Sequence, residues 1–371
     1  MIHKLPLLAC CFTVLIATPL GFGQSAAKPD PDVLIFSNGE KLVGKLIRSD
    51  GATVVFHSDS LGDVKADWSK IQELHSAQKF VAVEKGVQLN RRSDVSKLPT
   101  GAVALAGKSL TVGDRNIPVA DAAHIIQQPA FEKDVLHSPG FFEAWTGSVT
   151  AGAALVEATQ TSRTYTGGIS LQRTTPVADW LDTRDRTIAG FSATDGSVSQ
   201  PNTPKLKTAI FHGGLERDEY LSRSHAYFFA QTTFDHNFSQ GLDLQQMYGA
   251  GFGWTLVKQA RQTLDLKGSM SYERQTFQAS ASNRNLIGSV FSQNYMRKLN
   301  AGATLLEAVS ITPSWNTSKA YSWTANTSLN VPVHKRLGFQ VAALDTFLND
   351  PPPSFKKNSF QLTMGLNYSL K

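Results

Sequence analysis

The sequence predicts an all-β protein in which small β modules precede a transmembrane antiparallel β-barrel of about 12 strands. Three observations predict this fold class: an apolar N-terminal run, a turn-rich first third, and long segments of alternating apolar and polar residues. The 371 residues are 41% hydrophobic and only 18% charged, whereas about a quarter are charged in an average soluble protein. Predominant disorder is excluded, because it requires low hydrophobicity together with high charge.

The N-terminal residues have the features of a secretory signal peptide. Lys4 precedes an apolar run over residues 5–22, and the small residue Gly23 follows it. A basic start, an apolar middle and a small-residue end are typical of an export signal, so we predict a signal peptide over residues 1–23. The alternative is an uncleaved anchor helix, because the run approaches the roughly 20 residues that span a bilayer. Pro19 disfavours that helix.

Both cysteines of the chain, Cys10 and Cys11, lie inside this run. Cleavage would leave a chain without thiols, whose stability comes from packing or from the bilayer rather than from disulfides. Beyond residue 23, no stretch reaches the about 18 consecutive apolar residues of a transmembrane helix. An exported chain of this kind is either soluble in the periplasm or a β-barrel in the outer membrane.

Residues 24–140 are predicted to form periplasmic β modules. Asn38-Gly39 lies between two apolar segments, which is the strongest short signal for a β-hairpin. Short strands separated by tight turns are typical of a Src-homology-3-like or Sm-like barrel. The region is balanced in charge, with 14 basic and 14 acidic residues.

A possible repeat divides this region in two. Ala66-Asp67-Trp68-Ser69-Lys70-Ile71 is echoed by Ala120-Asp121-Ala122-Ala123-His124-Ile125. This similarity favours tandem modules over residues 32–76 and 80–128. The alternative is a single irregular β domain in which the similarity arises by chance.

Residues 141–371 are predicted to form the barrel. Apolar and polar residues alternate over about ten positions in several segments, most regularly over residues 360–370. Tilted strands that cross a bilayer need about ten residues, whereas strands of soluble proteins usually have about five or six. The length of the segments therefore favours a membrane barrel.

Aromatic residues and charge support an outer-membrane location. Aromatic side chains near the ends of the alternating segments are expected to form an interfacial girdle. They are Trp145, Trp254, Tyr272, Trp315, Trp323 and Tyr368. The region has 21 basic and 16 acidic residues, a surplus that suits lipid or lipopolysaccharide phosphates and is too small to indicate nucleic acid.

Three charged residues are candidates for the lumen of this barrel. Asp265, Lys267 and Glu273 share the polar face of one alternating segment, with Arg274 and Arg297 nearby in the sequence. A polar inner face is expected in a transmembrane barrel. About 12 strands enclose a narrow bore, which paired side chains can nearly close.

The residues give little support for catalysis. Asp235-His236 is an adjacent acid–imidazole pair, but neighbours in a strand point to opposite faces. His212 with Ser222 or Ser224 supplies a base and a hydroxyl without the spacing of a triad. We therefore predict no catalytic site.

Metal and cofactor sites are not predicted either. Histidines occur singly, as at His57, His75, His124 and His137. The glycines of residues 249–253 alternate with other residues and lack the strand-to-helix context of a nucleotide-binding loop. Glycines on one face of a barrel strand more often permit curvature or close packing.

The end of the sequence resembles the signal that the bacterial barrel-assembly machinery reads. The matching residues are Thr363, Gly365, Tyr368 and Leu370. The resemblance implies that this machinery is a partner of the chain.

A wider resemblance covers most of the sequence after the signal peptide. An aromatic segment over residues 226–235 and the glycine-rich Gly249-Ala250-Gly251-Phe252-Gly253-Trp254 are similar to the central pattern of the family catalogued as domain of unknown function 481, the salt-induced outer-membrane proteins. Residues 38–44, with Leu61-Gly62 and Ile71, resemble the small module often fused ahead of such barrels. The resemblance implies a barrel in the cell outer membrane and indicates no particular activity.

Two functions remain open from the sequence. The first is a non-enzymatic outer-membrane barrel that acts as a narrow pore for small solutes or in envelope integrity and stress. The alternative is a membrane-anchored binding protein whose N-terminal modules, in the periplasm, bind peptidoglycan or a periplasmic protein.

Overall fold

A computed structural model describes residues 30–87, 98–136, 139–157, 160–177, 183–202, 204–221 and 225–370. The predicted signal peptide lies outside these residues. Among them, no helix is both long enough and apolar enough to cross a membrane.

The N-terminal region forms one sheet of nine strands. The strands are β1 (Asp32–Phe36), β2 (Lys41–Asp50), β3 (Thr53–Ser58), β4 (Gly62–Asp67), β5 (Ile71–Glu84), β6 (Thr100–Ala106), β7 (Ser109–Val112), β8 (Arg115–Pro118) and β9 (Ala122–Gln127). Their order is β4-β3-β2-β1-β5-β6-β7-β8, and β9 pairs with both β2 and β5.

The two segments predicted as tandem modules share this sheet and one core. Strand β5 runs without interruption through residues 76–80, where the sequence analysis places the boundary. Leu34 and Leu46 of the first segment pack in the same buried cluster as Leu105 and Ile125 of the second. Both segments therefore belong to a single domain with one continuous core.

Local interactions explain the turns of this domain. The predicted hairpin joins β1 to β2, and Gly39 adopts a φ of +86° there, a conformation that glycine adopts without steric cost. Before β5, Asp67 caps a short 3₁₀ turn by accepting a hydrogen bond from the Ser69 backbone N–H at 2.9 Å. This bond holds the pKa of the Asp67 carboxyl below its ordinary value.

A short helical segment, residues 128–136, follows β9. Its Phe131 and Val135 are buried against Val81, Val83 and Ile126. This packing covers the second face of β5 and leads the chain towards the barrel.

The remaining residues form a closed antiparallel barrel of twelve strands. These strands are β10 (Trp145–Glu157), β11 (Thr161–Thr175), β12 (Asp185–Ser199), β13 (Leu206–Tyr220), β14 (Ala226–Asn237), β15 (Leu242–Gln259), β16 (Gln262–Phe277), β17 (Arg284–Lys298), β18 (Thr304–Thr312), β19 (Ser322–His334), β20 (Leu337–Leu348) and β21 (Asn358–Leu370). The predicted fold class and strand number are confirmed.

The outer surface of the barrel is apolar. Outward side chains such as Phe252, Met270 and Leu362 are more than half exposed. Closure pairs each strand with both of its neighbours, which satisfies most backbone hydrogen bonds within the wall, and the apolar side chains match the hydrocarbon of a bilayer. The barrel is therefore built to cross a membrane.

The two ends of the barrel differ. We define the inner end as the one where β10 begins at Trp145 and β21 ends at Leu370, and the outer end as the opposite one. At the inner end the chain connects to the N-terminal domain, and the Arg184 guanidinium donates to the Val135 carbonyl at 3.5 Å. Trp254 and Tyr368 lie on outward faces near the inner end, whereas Tyr272 lies near the outer end.

Candidate functional site: the barrel lumen

A cavity of about 1250 Å³ occupies the barrel from its inner end upwards. Glu84 and His124 of the N-terminal domain line it at the inner end, and residues from most of the barrel strands line it further up. Strand residues alternate between the two faces of the wall, so every second side chain points into this space. The cavity is the main candidate for a functional site.

One wall of the cavity is charged, and its centre is Arg186 on β12. The guanidinium lies 2.6 Å from the Asp218 carboxylate on β13 and 3.0 Å from the Asp265 carboxylate on β16. Asp218 is fully buried. Because a buried charge is tolerated only when it is paired, the three groups form one structural unit that spans β12 to β16.

A second ion pair lies beside this unit. The Lys267 ammonium donates to both carboxylate oxygens of Glu216, at 2.8 and 2.6 Å, and lies 5.4 Å from the centre of the Phe229 ring. The side chains of Lys267 and Glu216 are only 6% and 11% exposed. The Lys267 charge is thus neutralised within the wall and is not presented to the lumen as a free cation.

Glycines of β15 make room for the aromatic part of this wall. Tyr227 is fully buried, packs against Tyr220 with tilted rings whose centres are 4.9 Å apart, and lies under the Arg186 guanidinium. A Cβ atom on Gly253 would lie 2.3 Å from carbon atoms of the Tyr227 ring. The lumen-facing glycine therefore permits close packing, as the sequence analysis expects for glycines on one face of a barrel strand.

The opposite wall is polar and uncharged. Small hydroxyl and amide side chains face the cavity from β10, β11, β12 and β19 to β21. They include Ser148, Thr150, Ser170, Ser192, Asn326, Ser328, Asn330, Gln340, Gln361 and Thr363. The cavity therefore has one wall of ion-paired groups and one wall of uncharged hydrogen-bonding groups.

Above the cavity, towards the outer end, the lumen is filled. Gln275 donates to Glu273 on the same strand and to Gln245 on β15, and accepts a hydrogen bond from Arg284 on β17 at 2.6 Å. The Arg284 guanidinium also donates to the Asp350 carboxylate, at 2.8 Å. A polar chain thus leads from the lumen to the loop between β20 and β21.

Two hairpins close the outer end across the barrel. The β14–β15 hairpin and the β20–β21 hairpin lie six strands apart in the ring of twelve, and therefore face each other. The Gln240 side-chain amide donates to the Thr346 carbonyl at 3.1 Å and to the Lys357 carbonyl at 2.8 Å. Below them, Leu242, Phe277 and Leu348 form a buried apolar cluster.

The residues selected from the sequence occupy different places in this lumen. Asp265 and Lys267 line the cavity, whereas Glu273 is buried in the filled part nearer the outer end. Arg274 and Arg297 are exposed, the first on the outward face of β16 and the second at the inner end of β17. The partners Arg186, Glu216, Asp218 and Arg284 were not selected, since they lie on other strands, and only strand register shows that they meet.

The acid–imidazole pair that forms in the lumen is not the pair of sequence neighbours Asp235 and His236. Asp235 contacts His212, its partner in the β13–β14 register, with an Oδ1 to Nδ1 distance of 2.6 Å. His236 lies on the opposite face, where its Nδ1 is 2.6 Å from the Asp243 carbonyl oxygen and its ring lies near Phe211. Ser222 and Ser224 lie outside the described residues.

No metal site is present in the part of the chain that the structure describes. No three histidine, cysteine, aspartate or glutamate side chains there form a group that could hold an ion. His57 pairs with Asp63 at 2.7 Å, and His124 lines the inner end of the cavity. His137 lies outside the described residues.

The residues of the predicted assembly signal lie on the last strand. Thr363 and Gly365 line the cavity, while Tyr368 is 48% exposed on the outward face. Leu370 pairs with Gly147 of β10 in the seam that closes the barrel. A Cβ atom on Gly365 would lie 2.4 Å from the Ala151 carbonyl oxygen, so glycine is needed for close approach of the two strands.

Solved structures with weak similarity to this chain include outer-membrane barrels. The COG4313 outer membrane channel from Pseudomonas putida F1 is 13% identical, covers 63% of this chain and 100% of its own, and superimposes with a TM-score of 0.36. The translocator domain of the autotransporter NalP from Neisseria meningitidis is 12% identical, covers 60% of this chain and 87% of its own, and has a TM-score of 0.31. No curated protein matches the sequence.

A family model matches residues 149–370, which include all twelve barrel strands except the first residues of β10. Its description is "Protein of unknown function, DUF481". The match covers more than half of the chain, and the chain therefore belongs to this family.

Proposed function

We propose that the protein is a non-enzymatic outer-membrane barrel that provides a narrow passage for small polar solutes and is closed at its outer end at rest. The observation that carries this proposal is the cavity of about 1250 Å³ inside a closed barrel. Its uncharged wall offers hydroxyl and amide groups to a solute, while Arg186 and Lys267 of its charged wall are each held in ion pairs within the wall. The imidazole of His212 bonds a carboxylate, and a hydrolytic role is not proposed.

The proposed location follows from the apolar outer surface. A barrel with exposed Phe252, Met270 and Leu362 matches the hydrocarbon of the outer membrane, and lipid or lipopolysaccharide would surround it. The N-terminal domain at the inner end would then lie in the periplasm. The barrel-assembly machinery would read Gly365 and Tyr368 of the last strand.

Conductance in a planar bilayer tests the passage directly. The chain beginning at residue 24 is expected to be nearly silent, because Gln240 and its partners close the outer end. Gln240→Ala is expected to conduct. If both proteins are silent while unheated samples still run faster on gels than boiled ones, the barrel has folded without forming a passage, and the proposal fails.

A second candidate is a binding role for the N-terminal domain, with the barrel as its anchor. This domain has a separate cavity of about 440 Å³ whose lining is rich in amides. The lining residues are Ala77, Gln78, Lys79, Gln127, Gln128, Pro129 and Glu132. Polar side chains of this kind suit a polar ligand such as peptidoglycan or a periplasmic protein.

Sedimentation with purified peptidoglycan tests this candidate. The full chain is expected to co-sediment, and Lys79→Ala to lose part of that binding. Lys85→Ala, which changes a charge outside the lining of the cavity, serves as the control. Equal sedimentation of both variants would remove the cavity as the binding site.

A further inference from the structure

The seam between β10 and β21 is much shorter than the strands that form it. The two strands pair over five positions, from Gly147–Leu370 to Ala151–Leu366, whereas β10 pairs with β11 over thirteen positions. Both strands continue towards the outer end, to Glu157 and from Asn358. In the same register Glu157 would lie opposite Phe360, so six further pairs are not formed.

Exposure of the side chains shows the same gap. On β10, Ala154 and Val156 face the lumen, yet both are exposed, Val156 to 50%. Ser148, Thr150 and Gly152, on the same face and nearer the inner end, are only partly exposed. The inward side of β10 is therefore uncovered in the outer part of the seam.

The lumen cavity reaches this gap. Gln361 and Thr363, which lie on the inner face of β21 beyond its last pair with β10, line the cavity. The two backbones are still in contact just beyond the last pair, since a Cβ atom on Gly152 would lie 2.4 Å from the Met364 carbonyl oxygen. The remaining five residues, 153–157, extend about 17 Å, so the gap is a slot whose β10 edge begins with the small side chains Ala153 and Ala154.

Unpaired backbone groups restrict what can surround this slot. Exposed N–H and C=O groups are strongly disfavoured in hydrocarbon, and irregular or unpaired backbone is found at membrane depth only where protein or a water-filled cavity solvates it. Here the cavity supplies polar surroundings on the inner side, whereas Leu155, Phe360 and Leu362 face the bilayer. The slot therefore joins a polar lumen to the apolar surroundings of the barrel.

We propose that the slot is a lateral opening through which a single-chain amphiphile with an uncharged head passes between the bilayer and the lumen. Its chain would lie against Leu155 and Leu362, and its head would bond the hydroxyl and amide groups of Thr363 and Gln361. An uncharged head fits because this wall offers hydroxyl and amide groups, while Arg186 and Lys267 of the charged wall are each held in ion pairs. This inference rests on the bilayer location of the proposed function, and it does not require conduction through the outer end.

Cysteine pairs measure the width of the slot. The only cysteines of the chain are Cys10 and Cys11, so a chain beginning at residue 24 carries only introduced thiols. Ala154→Cys with Thr363→Cys would be opposite each other in the continued register, and Thr150→Cys with Asn367→Cys is a paired, inward-facing control. The control pair is expected to form a disulfide on mild oxidation, and the slot pair to need a longer bismaleimide. Equal oxidation of both pairs would overturn the opening.

Photolabelling then tests passage. A long-chain alcohol with a diazirine next to its hydroxyl is dissolved in phosphatidylcholine vesicles that contain the protein, and adducts are located by mass spectrometry. We expect adducts on lumen-facing Ser170 and Ser192 as well as on outward Phe191, and loss of the lumen adducts alone after the 154–363 pair is bridged. Adducts on Phe191 only, or lumen adducts that survive bridging, would overturn the proposal.

Two further measurements separate failure of this proposal from failure of the proposed solute passage. The bridged protein must retain the heat-dependent mobility of a folded barrel on gels. Conductance of the Gln240→Ala chain reports the outer closure, which lies away from β10. Lateral labelling without conductance would leave the lateral opening in place and remove only the solute passage.

Discussion

Gly253 shows how a single residue shapes the lumen. The buried Tyr227 ring occupies the position that a side chain at residue 253 would take. Gly190, which also faces the lumen, has its closest contact to an added Cβ at 3.7 Å, from the Ile169 carbonyl oxygen. The two glycines thus form a matched pair, one required by packing and the other not.

We expect Gly253→Ala to lower the free energy of unfolding by about 1–3 kcal/mol, the usual cost of overpacking a closely packed site. Gly190→Ala is expected to be neutral or slightly stabilising, because alanine restricts the unfolded chain more than glycine does. Urea unfolding in lipid vesicles, followed by tryptophan fluorescence, compares them. Equal effects of the two substitutions would show that the Tyr227 contact is unimportant.

The Lys267–Glu216 ion pair changes the effect expected from substituting Lys267, which the sequence suggests as a lumen-lining residue. From the sequence alone, Lys267→Glu is expected to shift the ion selectivity of a channel. In the structure this substitution would place a second carboxylate beside the buried Glu216. Its first effect would therefore be on stability, and selectivity is better probed on the uncharged wall.

Removing one partner of this pair is predicted to be costly. Glu216→Ala leaves the Lys267 ammonium buried without its counter-charge, and we expect a loss of about 3 kcal/mol in the free energy of unfolding. The double variant Glu216→Gln with Lys267→Met removes both charges and should recover most of that loss. The same vesicle-based urea unfolding measures both, and a double variant as unstable as the single one would contradict this reasoning.

At the scale of elements, the two facing hairpins decide whether the outer end is open. Gln240 is buried, and its side-chain amide donates hydrogen bonds to two backbone carbonyls of the opposite hairpin, those of Thr346 and Lys357. Gly241, with a φ of +67°, brings the turn against the Phe355 ring. The closure therefore depends on a small number of contacts between elements far apart in sequence.

Gln240→Ala is predicted to shift this closure towards the open state. Loss of two hydrogen bonds worth about 1 kcal/mol each changes the equilibrium by about ten- to thirtyfold. The measurement is the fraction of time that single proteins conduct in a planar bilayer. Ser280→Ala, at an exposed position in the β16–β17 turn of the same end, is the control and should leave that fraction unchanged.

Apolar and polar residues alternate poorly along the sequence of β13 and β14, and the structure explains why. Near the inner end of β13, charged residues occupy both faces, with Glu216 inward and Arg217 outward. In β14 aromatic residues occupy both faces, since Phe229 is buried in the lumen while Phe228 faces outward. The alternation of polar and apolar residues is lost where aromatic rings pack inside the lumen. It is also lost where the end of a strand extends beyond the hydrocarbon.

At the scale of the whole molecule, position along the bilayer normal is expected to control the effect of outward charges. Met270 lies in the middle of β16 and is 64% exposed, whereas Val333 lies near the inner end of β19 and is 67% exposed. The two side chains thus have similar exposure at different depths.

Met270→Lys is predicted to cost about 2–4 kcal/mol in the free energy of folding into vesicles, and Val333→Lys about 0–1 kcal/mol. The difference arises because the bilayer centre cannot hydrate an ammonium group, whereas the interface can. Urea titration of folding into phosphatidylcholine vesicles measures both values. Similar costs for the two variants would argue against a bilayer around this surface.

The sequence by itself determined the class of the fold and the two faces of most strands. Alternation is a local property, because side chains of neighbouring residues point to opposite sides of any strand. Segments such as residues 360–370 therefore predict their length, their apolar face and their polar face without knowledge of partners. The hairpin at Asn38-Gly39 is local in the same sense.

Only the tertiary structure decided which residues meet in the lumen and where the barrel wall is interrupted. Arg186 meets Asp265 although 79 positions separate them, and Asp235 bonds His212 rather than its neighbour His236. The outer closure and the short β10–β21 seam likewise depend on strand register and on how the ring closes. These are properties of the whole barrel, because each strand's position is set by its pairing with both neighbours, and no single segment encodes them.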